Sequence, residues 1–226
     1  VVLAQGALEK PLVFDGNDIP GVMLAGSAQT YLNRYGVRVG ERPVILTSHD
    51  SAYYAAFDLA DAGARVAAIV DTRAQIREEL RAEAAARHIE VLANHTATRA
   101  EGRLRVKSVR VAPMNGAEVG PARLLPCDCL LMSGGWTPSL HLFSHTKGSL
   151  KWDEDGRTFL PDRTNEACFI AGAGRGLWGI GAALADGGET GAAAARAMAG
   201  EAQARGYAVA RDRPGSGAAH KELPTD

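Results

Sequence analysis

The residues with the clearest potential for chemistry form a tight turn between a strand and a helix, followed one strand later by an acid. The turn is TSHDSA, residues 47–52, and the acid is Asp71. In a dinucleotide-binding unit, glycines let such a turn approach a pyrophosphate, and the acid accepts hydrogen bonds from ribose hydroxyls. Here the three glycine positions hold a threonine, a histidine and an alanine, and Asp50 adds negative charge. The sequence therefore predicts that this turn binds no dinucleotide. The same residues also suit structural roles, with Ser48 or Asp50 capping the helix and Asp71 starting a turn.

A second glycine cluster, AGAGRG at residues 171–176, also follows an apolar strand and precedes a helix. That helix begins near Gly179 and would present its N-terminal amides to an anion such as a pyrophosphate. One glycine-rich turn is weak evidence for a nucleotide site. Its specificity rises when it is combined with the opening strand and turn of the chain, VVLAQG at residues 1–6.

Hydrophobic patterning places the first turn in a βαβ unit. Residues 43–47 and 64–71 are continuous apolar strands, as expected when both faces of a strand are covered. The amphipathic helix between them, 48–63, completes the unit. A charged helix at 72–88 and a third strand at 89–94 follow. This order predicts an α/β fold built on a parallel sheet.

The pattern then changes to an antiparallel excursion. Residues 103–113 alternate apolar and charged side chains, with a break near Lys107-Ser108 that indicates a β-bulge. Asn115-Gly116 is a hairpin signal. Residues 122–135 then return as one strand that ends in paired glycines.

The C-terminal part of the chain is predicted to place the second glycine cluster. Residues 137–144 favour a short helix, and 159–162 a loop or edge strand. Residues 168–174 read as a buried strand entering the turn. Residues 179–206 favour a helix of small side chains, in which Gly187-Gly188 favours an interruption.

Composition and charge bound the classes of function. The chain has 25 Lys and Arg against 26 Asp and Glu, a formal charge of −1, which argues against binding nucleic acid or a charged membrane surface. No apolar run approaches the ~18–20 residues of a membrane span, and three cysteines are too few for a disulfide framework. No signal peptide is visible, so a cytoplasmic location is expected. Because the chain opens on Val1 in what reads as the end of a strand, we expect a piece of a longer protein.

Other candidate residues favour structural roles. His141 and His145 have the i, i+4 spacing of metal ligands on a helix, but no zincin-type glutamate accompanies them, so no metal site is predicted. The segment 73–87, rich in Arg and Glu, reads as a solvated helix face. No nucleophile–base pattern and no paired carboxylates stand out, so no catalytic residue is assigned.

Three blocks of the sequence together resemble one family. They are VVLAQGALEKPLVFDGNDIPGVMLAGSAQTYLNRYGV at the start, CDCLLMSGGWTPSLHLFSH from Cys127, and FIAGAGRGLWGIGAALADGGETG from Phe169. The chain resembles the alpha (large) subunits of heterotetrameric sarcosine oxidases, in order and without large gaps up to about residue 205. TYLNRYGV, SGGWTP and ALADG are the segments most specific to these subunits. Opine and octopine oxidase subunits, which share the opening block, are the nearest alternative.

The resemblance implies an α/β fold of the disulfide-reductase-like type, with two nested Rossmann domains and an antiparallel meander. Residues 1–40 would leave the first nucleotide-binding domain, and 41–135 would form the inserted second domain. Residues 136–205 would return to the first domain, and 206–226 would be a linker or tail. The first strand and its glycine-rich turn would lie before Val1, so the first domain would be incomplete in this chain.

The resemblance also implies cofactors and partners. The alpha subunit would hold NAD in its first domain, while the beta subunit would hold FAD, and FMN would lie at the alpha–beta boundary. Gamma and delta subunits would complete the assembly, and a following domain would bind tetrahydrofolate. The whole enzyme would oxidise a small amine, sarcosine, to glycine, and reduce O2 to H2O2. The redox chemistry would belong to cofactors held largely elsewhere, so this chain alone is expected to be inactive.

Nine cofactor-binding positions carry over by the resemblance, in two turns and one helix start: Ala4, Gln5, Gly6, Gly172, Ala173, Gly174, Gly179, Gly181 and Ala182. The first turn would lie against the adenosine half of the nucleotide, with Gln5 in place of the usual threonine. In the second turn, Ala173 stands where an aspartate would contact a ribityl or ribose hydroxyl. The helix start would face the pyrophosphate. Loss of the aspartate weakens the case for FAD and leaves NAD, or no nucleotide, as the occupant.

Two other functions stay open on the sequence alone. One is a non-catalytic Rossmann scaffold whose two nucleotide sites are both degenerate and which supports partner chains. The other is a free-standing NADPH-dependent reductase, which the missing glycines at 47–52 and the absence of a CxxC pair disfavour.

Overall fold

The computed structural model describes residues 1–116, 118–164 and 166–199, which form two compact units. The first unit contains residues 1–8 and the described residues from 136 onward, and the second contains residues 9–135. The second unit is therefore inserted into the first along the chain. The expected linker or tail at 206–226 lies outside the described residues, as does the end of the helix predicted to reach residue 206.

The secondary-structure elements are numbered here in chain order. The strands are β1 (Val2–Leu3), β2 (Ala7–Glu9), β3 (Val22–Leu24), β4 (Pro43–Thr47), β5 (Ala68–Asp71), β6 (Val91–Ala93), β7 (His95–Gly102), β8 (Val106–Asn115), β9 (Glu118–Val119), β10 (Arg123–Pro126), β11 (Cys129–Ser133), β12 (Trp136–Pro138), β13 (Leu150–Asp153), β14 (Thr158–Pro161) and β15 (Phe169–Ile170). The helices are α1 (Ala25–Tyr35), α2 (Ser51–Asp61), α3 (Glu78–Ala86), α4 (His141–His145) and α5 (Ile180–Ala199), and a 3₁₀ turn covers Gly172–Arg175.

A five-stranded parallel sheet, in the order β3–β11–β4–β5–β6, forms the centre of the second unit. β4 and β5 are buried along their whole length, which explains their continuously apolar sequences. Successive side chains point to opposite faces. Ile45 and Ile69 pack with the helices α1, α2 and α3, whereas Val44 and Leu46 pack with the antiparallel strands β7, β8 and β10. The predicted α/β class, with a parallel sheet and an antiparallel excursion, is confirmed.

Local signals in the sequence place the ends of several elements correctly. Gly36 ends α1 with a left-handed φ of +67°, and Gly63 follows α2 with a φ of +89°. The predicted bulge lies at Lys107, which is skipped between the paired residues Glu101–Ser108 and Gly102–Val106. The hairpin at Asn115-Gly116 joins β8 to β9.

Three boundaries in the second unit differ from the expectations. The helix predicted to begin at residue 72 begins at Glu78, because Arg73 turns inward to pair with Asp71. The return strand predicted at 122–135 is two strands, since β10 pairs with β8 and β11 crosses to the parallel sheet. Residues 9–40 of the expected exit segment lie in this unit, because β3 pairs with β11 and α1 packs beside it.

The first unit contains a parallel pair of strands and a long helix. β1 pairs with β15 through Val2–Phe169 and Leu3–Ile170, and β13 pairs with β14 as a hairpin. Helix α5 continues through Gly187-Gly188, so the expected interruption is absent there. The small hydrophobic core of the first unit contains Leu140, Phe143, Cys168 and Ile170. Neither unit, within the described residues, contains a helix with the length and apolar character needed to cross a membrane.

Candidate nucleotide-binding site

Two of the three predicted groups of nucleotide-binding residues meet at one edge of the first unit. Because β1 and β15 are parallel neighbours, the turns at their carboxyl ends lie at the same edge. Ala4, Gln5 and Gly6 follow β1, and the 3₁₀ turn that contains Ala173 follows β15. A Cβ built on Gly174 would lie only 3.9 Å from the carbonyl oxygen of Gly6. The structure thus brings the two turns together.

The glycines of these turns are needed for backbone shape and for close approach. Gly6 has a φ of +74°, and a Cβ built on it would meet nothing within 4 Å, so this backbone faces open space. Gly172 has a φ of +69°. A Cβ on Gly174 would lie 2.9 Å from Ile170 Cγ2. The open backbone at Gly6 fits the approach of a nucleotide phosphate or sugar, whereas Gly172 and Gly174 are buried and shape the turn from within.

The third predicted group begins helix α5. Gly179 precedes the helix with a φ of +92°, and its carbonyl accepts a hydrogen bond from the Ala183 amide at 3.0 Å. Gly181 and Ala182 lie in the first turn, where Ala182 is exposed. A Cβ built on Gly172 would lie 3.7 Å from Ala183 Cβ, so the 3₁₀ turn packs beside the start of α5. Helix N-termini favour anions, and these residues fit a pyrophosphate.

The 3₁₀ turn is held from within the first unit by an aspartate of α5. Asp186 is 5% exposed, and its carboxylate accepts a hydrogen bond from the Gly172 amide at 2.6 Å. Its other oxygen accepts from the Arg175 guanidinium at 2.5 Å. Sequence reasoning missed this role, although Asp186 lies in the ALADG segment on which the resemblance partly rests.

The corresponding edge of the second unit is closed by its own side chains. Asp71 ends β5 at the position where a Rossmann acid accepts ribose hydroxyls. The backbone N–H of Arg73, its Nε and its terminal nitrogen donate to Asp71 at 2.9, 3.0 and 2.7 Å, and the Tyr53 hydroxyl donates at 2.9 Å. A carboxylate offers about four lone-pair positions. Asp71 therefore has no acceptor left for a ribose.

The helix start at this edge is occupied as well. Asp50 is fully buried at the N-cap of α2, where a pyrophosphate would lie, and it accepts from Arg73 at 2.7 Å. Arg77 lies 3.7 Å from its second oxygen. Thr47 Oγ1 donates to the His49 carbonyl at 2.8 Å and accepts from the His49 amide at 2.9 Å, so the turn is braced by its own residues.

Ionisation of this buried cluster is fixed by its partners. Burial raises the pKa of Tyr53, and the neighbouring Asp71 raises it further, so the hydroxyl stays protonated and donates. Burial alone lowers the pKa of Arg73, but its hydrogen bonds and charge pairing with Asp71 and Asp50 outweigh burial and raise it. The prediction from the missing glycines at residues 47–52 was that side chains would block a phosphate and that Asp50 would repel it. The structure adds that Arg73 and Tyr53 take up the acceptor positions of the Asp71 carboxylate. In the sequence, this pairing was indicated only by the close spacing of Asp71 and Arg73.

The remaining candidates gain no support as ligand sites. His141 and His145 both lie exposed on α4. In the described ranges, no three His, Cys, Asp or Glu side chains group closely enough to hold a metal ion.

Several known proteins are similar to this chain over most of its length. The alpha subunit of sarcosine oxidase from Corynebacterium sp. (strain P-1) is 40% identical over 200 residues, which cover 87% of this chain and 20% of that protein. The chain is a homologue of sarcosine oxidase alpha subunits. It spans about a fifth of the length of these homologues. An opine oxidase subunit from Agrobacterium tumefaciens (strain Ach5) is 29% identical over 212 residues, covering 83% of this chain and 41% of that protein. No protein-family model matches the chain.

Several solved structures have a fold similar to that of this chain. L-proline dehydrogenase from P. horikoshii superposes with a TM-score of 0.61 at 20% identity, covering 90% of this chain and 35% of that one. An FAD-dependent pyridine nucleotide-disulphide oxidoreductase from Desulfovibrio vulgaris superposes with a TM-score of 0.54 at 19% identity, covering 76% and 44%. The expected disulfide-reductase-like nested Rossmann fold is confirmed.

Proposed function

We propose that this chain is the nucleotide-binding portion of an alpha subunit in a flavin-dependent amine oxidase of the sarcosine oxidase type. The observation that carries the proposal is the contrast between the two units. The first unit gathers two glycine turns and a helix start near the open backbone of Gly6, whereas Arg73 and Tyr53 fill the matching edge of the second unit. One nucleotide is therefore expected for each chain.

NAD is the proposed occupant of the first unit. Gly6 lets the backbone approach the nucleotide, and the start of α5 at Gly179 to Ala182 stabilises the charge of its pyrophosphate. Ala173 offers no carboxylate to a flavin ribityl hydroxyl, which favours NAD over FAD here. FAD and FMN on partner subunits would supply the amine oxidation and the reduction of O2. The FAD-dependent fold relatives support a flavin in the assembly.

The assembly is proposed to oxidise sarcosine with O2 and water to glycine and H2O2, with the methyl carbon released as formaldehyde or passed to tetrahydrofolate. Its partners would be beta, gamma and delta subunits, with tetrahydrofolate bound by a further domain. The sarcosine oxidase and opine oxidase relatives are each one subunit of an enzyme, which supports a complex of several chains. Opine oxidation is the second candidate, supported by the similarity to the opine oxidase relative. Comparing peroxide formation from sarcosine and from octopine by the purified assembly separates these two.

The nucleotide content of the native assembly tests the proposal. Heat-denatured extract should release about one NAD for each copy of this chain, together with flavin, as measured by mass spectrometry. An extract containing neither NAD nor flavin would overturn the proposal.

A matched pair of glycine variants locates that NAD. Gly6 and Gly116 both have left-handed φ values, of +74° and +65°, and open space around a built Cβ. Replacing either by alanine should cost a similar ~1 kcal/mol in backbone strain. Only Gly6→Ala places a methyl group in the proposed site and should lower the retained NAD. Equal NAD content in both variants would move the nucleotide away from this turn.

A further inference from the structure

Asp186, on α5, accepts hydrogen bonds that tie the proposed nucleotide turn to this helix. Its carboxylate is 5% exposed and accepts hydrogen bonds from the Gly172 amide and the Arg175 guanidinium. These two donors are the first and last residues of the 3₁₀ turn. One side chain therefore fixes both ends of the segment that carries Ala173 and Gly174.

The Asp186 carboxylate points at the turn itself, which distinguishes its role from direct contact with a ligand. Ala173, in the middle of the turn, offers no carboxylate to a nucleotide hydroxyl. The acid near this turn comes instead from α5. Both oxygens of Asp186 accept from the turn itself, and this stabilises the shape of its backbone.

Gly172 explains why such an anchor is needed. It adopts a φ of +69°. Glycine can adopt this left-handed conformation but has no strong preference for it, so the conformation must be held by other contacts. Its amide is buried, and a buried amide without an acceptor is costly. The Arg175 side chain is 48% exposed and lines a cavity of about 430 Å³, so solvent weakens that ion pair. The bond to the Gly172 amide is therefore the stronger restraint on the turn.

We propose that Asp186 is the positioning residue of the nucleotide turn, holding the backbone of Gly172 to Arg175 in the shape that receives the nucleotide. This inference rests on the function proposed above. Losing the anchor should raise the mobility of the turn and weaken NAD binding together, because the turn must then be ordered by the nucleotide.

The test uses the native assembly with the full-length chain carrying Asp186→Ala, Asp186→Asn or the control Glu189→Gln. Glu189 lies on the same helix and is exposed. Two quantities are measured, the amide hydrogen exchange of residues 169–177 and the dissociation constant for added NAD. Asp186→Ala should accelerate exchange at Gly172 and weaken NAD binding, each by about tenfold, the size expected for one lost charge-assisted hydrogen bond.

The asparagine variant keeps an oxygen that accepts from the Gly172 amide but gives up the charge pair with Arg175. It should retain slow exchange and most of the NAD affinity, and the glutamine control should match wild type. If Asp186→Ala leaves Gly172 exchange unchanged, or accelerates exchange without weakening NAD binding, the inference is overturned.

A second variant covers the case in which Asp186→Ala does not fold. Asp186→Glu keeps the charge but its longer side chain displaces the acceptor, so both quantities should change in the same direction to a smaller extent. Wild-type values for both in Asp186→Glu would overturn the inference. A wild-type assembly that neither retains nor binds NAD would instead overturn the proposed function, so the two failures are distinguishable.

Discussion

Two carboxylates and one guanidinium share a buried space at the ends of β4 and β5. Asp50 and Asp71 are fully buried and Arg73 is 6% exposed, so none of these charges is strongly solvated. A buried carboxylate without its cation carries a large desolvation cost. Arg73 therefore has two roles at the residue scale. It neutralises the pair, and it takes the acceptor positions that a ribose would need.

Removing that guanidinium tests the first role. Arg73→Met keeps much of the side-chain volume, and we expect the free energy of unfolding near neutral pH to fall by roughly 3–5 kcal/mol. Urea unfolding near neutral pH measures this loss.

The control for this variant is Arg65→Met, since Arg65 is exposed. Its unfolding free energy should change by less than about 0.5 kcal/mol. A loss in Arg73→Met that is no larger than in the control would show that the carboxylates do not depend on Arg73.

Glu9 provides a second prediction at the residue scale. Burial raises its pKa, while the hydrogen bond that it accepts from the Gly26 amide at 2.9 Å lowers it by less. Because the folded pKa lies above the unfolded one, the resulting stabilisation is present below the unfolded pKa and is lost as the pH rises through the folded pKa. Glu9→Gln removes this titration. Its unfolding free energy relative to wild type should therefore rise between about pH 4 and pH 7.

Glu90 supplies the opposite control. Its hydrogen bond from Arg123 is the main reason that its pKa is lowered. Its stabilising contribution is present above the unfolded pKa and is lost as the pH falls. Glu90→Gln should therefore lose stability relative to wild type over the same rise in pH, and parallel behaviour of the two variants would contradict both assignments.

Helix α5 shows how an element tolerates residues that disfavour it. The helix continues through Gly187-Gly188, and a Cβ built on Gly187 or Gly191 would meet nothing within 4 Å. Glycine lowers helix stability through its greater freedom in the unfolded chain. At the element scale, packing of the first turns beside Gly172 and the anchor from Asp186 outweigh this weakness.

Alanine at Gly187 should therefore stabilise the protein. We expect Gly187→Ala to raise the free energy of unfolding by about 0.8–1 kcal/mol, measured by urea denaturation. The matched substitution Gly148→Ala should do the reverse, because its Cβ would overlap the Phe143 ring. A loss of stability in Gly187→Ala would indicate that this face of α5 needs glycine for a contact.

Elements set by local signals were predictable from sequence, and those set by distant partners were not. The apolar runs of β4 and β5, the bulge at Lys107 and the glycine that ends α1 each have a signal within a few residues. The inward turn of Arg73 has only a weak local signal, its spacing of two residues from Asp71, because its segment also has good helix propensity. Its position depends on where β5 ends relative to Asp50, twenty-three residues earlier.

The candidate site divides in the same way. The glycine turns are visible in the sequence because close backbone approach requires that residue type. The contact from Asp186 to Gly172 spans fourteen residues and depends on the packing of α5 on the turn. Which turns share an edge also depended on the pairing of β1 with β15.

At the scale of the whole molecule, an inserted unit that resembles a nucleotide-binding domain need not hold a nucleotide. We expect added NAD to slow amide exchange at residues 4–6 and 171–182 of the native assembly, because a ligand stabilises the state that binds it. Residues 47–52 and 71–73 should exchange at the same rate with and without NAD. Protection confined to the second pair of segments would reverse the assignment of the two units.

The closed edge of the second unit is also hard to open by mutation. Placing glycine at Thr47, His49 and Ala52 would remove side chains that are buried, while Arg73 would still donate its hydrogen bonds to Asp71. Removing Arg73 alone would strand two buried charges. Each single step back toward an open site is therefore destabilising before any ligand can compensate. Selection acting one substitution at a time would keep such a domain as a scaffold, so recovering a nucleotide site there calls for several simultaneous changes.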